Sequence, residues 1–175
     1  MKISDDEHLY EELHRDEAYG IGGGWFRPYI LDFVKNKNIK TVIDYGCGKG
    51  RLVRALKEKN IFKYVCGFDP YVGIYAERAS SFFDLLISTD FFEHVEEKYL
   101  VNIANDMWEF RPKYMFHAVS NRPSASKLGK NPAHKIVKDG KWWKEKLALL
   151  FPFHNVTELF YNDKQKFTVY GFESS

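Results

Sequence analysis

Apolar residues recur along this chain in two rhythms, short continuous runs and helical stripes, and their alternation predicts the architecture. Thr41 to Ile43 is β-branched or apolar and leads into Asp44. Leu52, Val53 and Leu56 then repeat at helical spacing, in a helix expected to reach about Lys59. A second run, Tyr64 to Phe68, ends on Asp69. A third, Phe82 to Ser88, delivers Thr89 and Asp90, and Tyr114 to Val119 forms a fourth. Leu100, Ile103, Met107 and Trp108 mark a helix running to about Phe110, which Arg111-Pro112-Lys113 breaks. Another helix opens at Trp142 and ends near Pro152. His154 to Tyr161 and Lys166 to Phe172, joined by Asn162 to Gln165, read as a hairpin. Strands that alternate with helices predict an α/β sheet.

Two segments depart from that rhythm. Before the first strand, Asp5 to about Glu17 reads as an amphipathic helix with Leu9, Tyr10 and Leu13 on one face. Tyr19-Gly20-Ile21-Gly22-Gly23-Gly24-Trp25 follows, glycine-rich and flanked by aromatics, either a linker or a mobile lid. Phe26 to Lys35 is expected to be helical. Residues 1–38 are thus N-terminal helices with a lid, and 39–175 a core, in one domain. The second departure is Pro70 to Ser81, too short for a helix, a strand and a loop, which predicts a turn or one short helix.

Composition narrows the class. A content of 45% hydrophobic and 17% aromatic residues in 175 is ample for a core. A formal net charge of +2 announces no nucleic-acid surface. No apolar run approaches a membrane span, and the N-terminus lacks the apolar centre of a signal peptide. The two cysteines, Cys47 and Cys66, fall in or beside buried strands, which fits a reducing cytoplasm. Cys47 is expected to fill a tight place in its loop. Arg51, Arg54, Lys57 and Lys59 are expected to form a solvated face.

The chemistry concentrates in Asp44-Tyr45-Gly46-Cys47-Gly48-Lys49-Gly50, a glycine turn between strand and helix at the carboxyl edge of the sheet. A dinucleotide turn would put its third glycine at position 51, which is Arg51, and the Ser or Thr of a P-loop is absent. With Asp69 ending the next strand, the pattern resembles class I S-adenosylmethionine-dependent methyltransferases, in particular small bacterial and phage-type members. That resemblance implies a Rossmann-like, seven-stranded, mostly parallel sheet with an antiparallel C-terminal hairpin strand. It also implies S-adenosyl-L-methionine as cofactor. Asp44, Tyr45, Gly46, Cys47, Gly48, Asp69, Pro70, Thr89 and Asp90 would be the residues that bind it. Asp69 would take both ribose hydroxyls, since a carboxylate suits an unphosphorylated diol. The shortened Pro70 to Ser81 reduces or removes the family's third strand, from whose end the adenine contacts usually come.

Thr89-Asp90-Phe91-Phe92-Glu93-His94-Val95 resembles the family's fourth-strand motif. If a helix has begun there, Asp90, Glu93 and His94 share one face. The spacing also admits a divalent metal, but without a fourth ligand none is assigned. The loop Ser120 to His134 carries Arg122, Lys127, Lys130, Asn131 and His134, donors suited to an oxygen-rich acceptor. A hydroxyl acceptor needs a base, and His134, then His94, are the candidates. His117 lies in an apolar run and reads as a core histidine. Tyr19, Tyr45 and Trp25 are aromatic candidates for facing the sulfonium. The expected function is methylation of a polar small molecule or saccharide hydroxyl. Lysines around the loop leave a nucleic-acid or nucleotide methyltransferase as an alternative, although the prolines of DNA amino-methyltransferases are missing after Thr89. A non-catalytic binding subunit is a third reading.

Overall fold

A computed structural model of the chain describes residues 2–174 apart from Glu7, Ala18, Ile21, Gly129 and Gln165, with Glu11, Lys127, Leu128 and Asn131 described by backbone alone. The expectations for Ile21, for the Gln165 turn and for the side chains of Lys127 and Asn131 therefore lie outside the described residues. The elements are α1 (His8–Leu13), α2 (Arg27–Phe33), β1 (Thr41–Tyr45), α3 (Arg51–Lys57) and β2 (Tyr64–Phe68). β3 (Leu85–Thr89), α4 (Leu100–Trp108), β4 (Tyr114–Ser120), β5 (Lys127–Leu128) and β6 (Asn131–Pro132) follow. The chain ends with α5 (Gly140–Leu150), β7 (His154–Asn162) and β8 (Phe167–Ser174).

The sheet runs β2-β1-β3-β4-β8-β7. Its first four strands are parallel, and β8 pairs antiparallel with both β4 and β7. Alternation along the buried strands sends side chains to two separate cores. Ile43, Leu86 and Met115 meet Ile103, Met107, Trp143 and Leu147 of α4 and α5. Val42, Leu85 and Phe116 meet Ile30, Phe33, Leu52 and Leu56 of α2 and α3. Helices thus cover both faces, as a parallel sheet requires. The basic positions Arg51, Arg54, Lys57 and Lys59 are all exposed, the solvated face expected of them.

The sheet has six strands, not seven. After β2 the chain turns back on itself: Asp69 N–H donates to the Tyr75 carbonyl, and Gly73–Tyr75 is a single 3-10 turn. Twelve residues cannot hold a crossover and a strand, so β2 is left as the edge.

The N-terminal segment does not sit apart. Glu96 N–H donates to the Ile3 carbonyl at 2.8 Å, and Ser4 Oγ donates to the Glu96 carboxylate at 2.8 Å. Lys135 pairs with Asp6 at 2.7 Å, and the Tyr10 hydroxyl is shared between the His94 and Ala133 carbonyls. The glycine run, expected to be mobile, is a 3-10 helix, Gly22–Phe26, seated on the sheet edge. Its glycines serve close approach: a Cβ on Gly22 would stand 2.8 Å from Asp90 Oδ2, and one on Gly23 2.8 Å from Thr89 Oγ1. Residues 2–26 therefore form a strap across the carboxyl ends of the strands.

Candidate functional site

Under the strap, at the carboxyl edge of β1, β2, β3 and β4, lies a cavity of about 370 Å³. Its walls come from the strap (Tyr10, His14, Tyr19), the glycine turn, Asp69 to Tyr71, Thr89 to Phe91, and the loop after β4. That location is the ligand edge of open α/β sheets.

The turn is shaped by its neighbours. Gly46 has φ +73°, and a Cβ there would lie 2.3 Å from the Phe91 ring. Gly48 has φ +51°, and a Cβ there would lie 2.5 Å from the Gly20 carbonyl oxygen. The Gly20 carbonyl in turn accepts the Lys49 N–H at 2.9 Å, fastening strap to turn. Both positions combine left-handed backbone with contact that excludes a side chain. Gly67 keeps open the place that Cys47 fills, because a Cβ on it would be 2.6 Å from Cys47 Sγ. Burial pushes the Cys47 thiol up, so it remains protonated and inert.

Asp69 closes one end. Its Oδ2 accepts the Gly48 N–H at 2.9 Å and its Oδ1 accepts the Tyr71 N–H at 3.0 Å. Each oxygen retains a second lone pair. The carboxyl is 6% exposed, and burial raises its pKa against the opposing influence of His14. A carboxylate so held, on a cavity wall, suits a vicinal diol, and Pro70 and Tyr71 extend that wall. Asp44 lies beneath the turn rather than on the cavity. Burial, then the charge of Asp69, pushes its pKa to about 8, and its Oδ1 has no hydrogen-bond partner among the described residues. Tyr45 also lies off the cavity: its ring packs edge-on among Phe68, Phe91 and Phe110, and its hydroxyl donates to Asp106. Its side chain is core, and only its main chain adjoins the turn.

At the other end stand Thr89 and Asp90, both on the cavity. Asp90 has φ +50°, in the left-handed region, so it precedes any helix. Phe92–His94 is one 3-10 turn and α4 begins only at Leu100, so the shared helical face expected for Asp90, Glu93 and His94 does not form. Asp90 reaches the cavity with its pKa pushed by burial to about 6, partly offset by Arg122. Glu93 turns inward instead, its Oε1 accepting the Ser120 N–H at 2.8 Å, and burial followed by the charge of Asp90 raises its pKa well above the ordinary carboxylate value. Among the described residues no three His, Cys, Asp or Glu side chains are grouped to hold a metal ion.

His94 and His134 meet on the cavity wall. His94 Nδ1 is 3.1 Å from the Ala133 carbonyl, and His134 Nδ1 is 2.7 Å from the Arg122 carbonyl. A carbonyl can only accept, so each ring carries its proton on Nδ1 and leaves Nε2 as an acceptor. Burial lowers both pKa values, that of His94 to about 3. His117 is a core residue, its Nδ1 2.8 Å from Ser88 Oγ. Of the aromatics, Tyr19 lines the cavity, whereas Trp25 is 75% exposed.

His14 and Tyr71 line the cavity without having been named for it, and Ser120 joins them from the start of the loop expected on that edge. His14 stands four residues after Tyr10, beside the apolar face of the expected helix, a spacing that could have marked it. Its place follows from the strap folding back over Asp69 and Gly48.

Comparison with known proteins agrees with this architecture. The family model described as "Methyltransferase domain" matches residues 24–134. No curated protein matches the chain by sequence. Among solved structures, the DhpI–SAH complex superposes with a TM-score of 0.68 at 11% identity, over 97% of this chain and 94% of that one. A SAM-dependent methyltransferase from Archaeoglobus fulgidus gives 0.62 at 18% identity, over 97% and 100%. The PH0226 protein from Pyrococcus horikoshii OT3 gives 0.64 at 13% identity, over 94% and 99%.

Proposed function

The chain belongs to the methyltransferase domain family, with S-adenosyl-L-methionine as its cofactor, and on that premise we propose that it methylates a hydroxyl of a polar small molecule or saccharide. When bound, the cofactor supplies a methyl group already activated as a sulfonium. The protein is left with alignment, exclusion of water and removal of one proton.

We assign the ribose hydroxyls to Asp69, with Pro70 beside it, and the methionine end to the glycine turn, Thr89 and Asp90. The strap is the lid over that cofactor and residues 39–175 are the core that holds it. Tyr19 is the aromatic that faces the reaction space. The two free thiols, one buried and one half-buried, fit a cytoplasmic protein.

The observation that carries the hydroxyl assignment is the pair His94 and His134. Both rings are held neutral by burial, with Nε2 free as an acceptor. A neutral imidazole on the cavity wall is what proton removal from an attacking hydroxyl needs. His134, on the acceptor loop, is the base, and His94 behind it is the second candidate.

The test is methylation with a 13C-methyl-labelled cofactor against a panel of hydroxylated small molecules and sugars. The carbon shift of the product separates oxygen from nitrogen, sulfur and carbon as the methylated atom. Product on oxygen, lost in His134→Ala, supports the reading. Product on nitrogen would overturn it.

A further inference from the structure

Arg122 offers a cation at the acceptor end of the cavity. It sits two residues beyond β4 and lines the cavity. Among the described residues its guanidinium forms no ion pair, and the pairs seen at Lys135 and Lys166 lie elsewhere. Asp90 feels its charge without being bonded to it.

The side chain is exposed, but the main chain that carries it is pinned on both sides. Before it, Asn121 N–H donates to the Lys166 carbonyl at 2.7 Å, and Asn121 Nδ2 donates to the Lys138 carbonyl at 3.0 Å. Thr168 Oγ1 donates to Asn121 Oδ1 at 2.8 Å. After it, Pro123 restricts the backbone of Arg122 to extended geometry. The Arg122 carbonyl itself accepts the Nδ1–H of His134 at 2.7 Å. One corner of the loop therefore brings an arginine and a neutral imidazole to the same cavity wall. On the same wall Ser124 Oγ accepts the Ser126 N–H at 3.0 Å, which leaves the Ser124 hydroxyl hydrogen free to donate. A planar fork of donors beside a hydroxyl donor is the arrangement that binds a carboxylate or phosphoryl group with two parallel hydrogen bonds.

We propose that the acceptor carries an oxyanion, carboxylate or phosphoryl, which Arg122 binds while His134 faces a hydroxyl of the same molecule. This rests on the hydroxyl-transfer reading for the identity of the acceptor wall. It narrows the substrate from polar molecules in general to hydroxy acids or sugar phosphates.

Calorimetry on the full chain saturated with S-adenosylhomocysteine tests it, with inorganic phosphate and benzoate titrated separately. The expected result is weak, saturable binding of one anion, reduced at least about tenfold in Arg122→Met, less in Arg122→Lys, and unchanged in Lys138→Met. The tighter of the two anions then names the oxyanion. Absence of saturable binding by either, or equal binding in Arg122→Met, overturns the proposal. So does a loss of S-adenosylhomocysteine affinity in Arg122→Met, which would assign the guanidinium to the cofactor's carboxylate. If anion binding depends on Arg122 while the labelled methyl group appears on nitrogen, the anion site stands and the hydroxyl reading alone falls.

Discussion

His94 and His134 stand edge to face with ring centroids 4.8 Å apart, each giving its Nδ1 hydrogen to a main-chain carbonyl. A proton on one ring opposes a proton on the other, and His134 is among the causes that lower His94. Burial and this mutual opposition both favour the neutral rings, the form the proposed base role needs.

For the base, His134→Ala should lower kcat by roughly 10² to 10⁴, the usual worth of a general base, with affinity for S-adenosylhomocysteine unchanged. The rate falls when the working imidazole takes up a proton. With its pKa depressed by burial, the acid limb of kcat in the wild type should lie below 6.5, the ordinary histidine value. Initial rates across pH check both points; a limb centred above 6.5 would remove the buried imidazole from the mechanism.

For the cofactor, Asp69→Ala should weaken S-adenosylhomocysteine at least about tenfold, because hydrogen bonds to a charged group are worth about 1.5 to 3 kcal/mol each. Titration calorimetry reads this directly. Unaltered affinity would place the ribose elsewhere.

For the junction of strap and turn, Gly48→Ala should destabilise the protein by about 1 to 3 kcal/mol and speed proteolytic cleavage of residues 2–26. The added Cβ meets the Gly20 carbonyl, and the backbone is left-handed there. Gly73→Ala is the control, since a Cβ on Gly73 meets nothing within 4 Å. Urea unfolding and limited proteolysis of the two variants should separate them clearly.

For Asp44, the native carboxyl keeps its proton up to about pH 8, whereas an unfolded one loses it near 3.8. Its folded pKa is raised, so its contribution is fully present below 3.8 and is lost as pH rises toward 8. Asp44→Asn cannot ionise. Its stability relative to wild type should therefore improve between pH 4 and 8, by up to about 1.4 kcal/mol per pH unit, and level off above. A constant difference across that range in chemical denaturation would contradict the buried, protonated assignment.

The glycine turn and Asp69 were legible because their chemistry is local: the strand aims the turn, and the next strand's last residue stands beside it. The loss of the third strand was legible from length alone. Local spacing failed where distant residues decide. Asp90, Glu93 and His94 would share a face only on a helix, but Asp90 is left-handed and Phe92–His94 is a single 3-10 turn, so that face does not form even though the Asp90 and Glu93 carboxyls touch. Tyr45 looked available because it adjoins the turn, yet strand alternation points it at Phe110 and Phe68. The third glycine falls at 50 rather than 51 for a similar reason. A Cβ at Gly50 would lie 2.0 Å from the Tyr75 hydroxyl, which the shortened segment brings against the turn. His14 and the strap's glycines gain their positions from partners some thirty to seventy residues away.

Those distances matter while the chain is being made. The strap is synthesised before its partners: Ile3 and Ser4 bond to Glu96, Tyr10 to Ala133, and Asp6 to Lys135. None of these partners has been made when residues 2–26 leave the ribosome. Contacts of such long sequence separation form slowly, because loop-closure entropy is met before they reward it. The sheet's parallel heart and its glycine turn can assemble as residues 41 to 120 emerge. The roof of the cavity must wait for residue 135, so the chamber is completed late in the birth of the molecule.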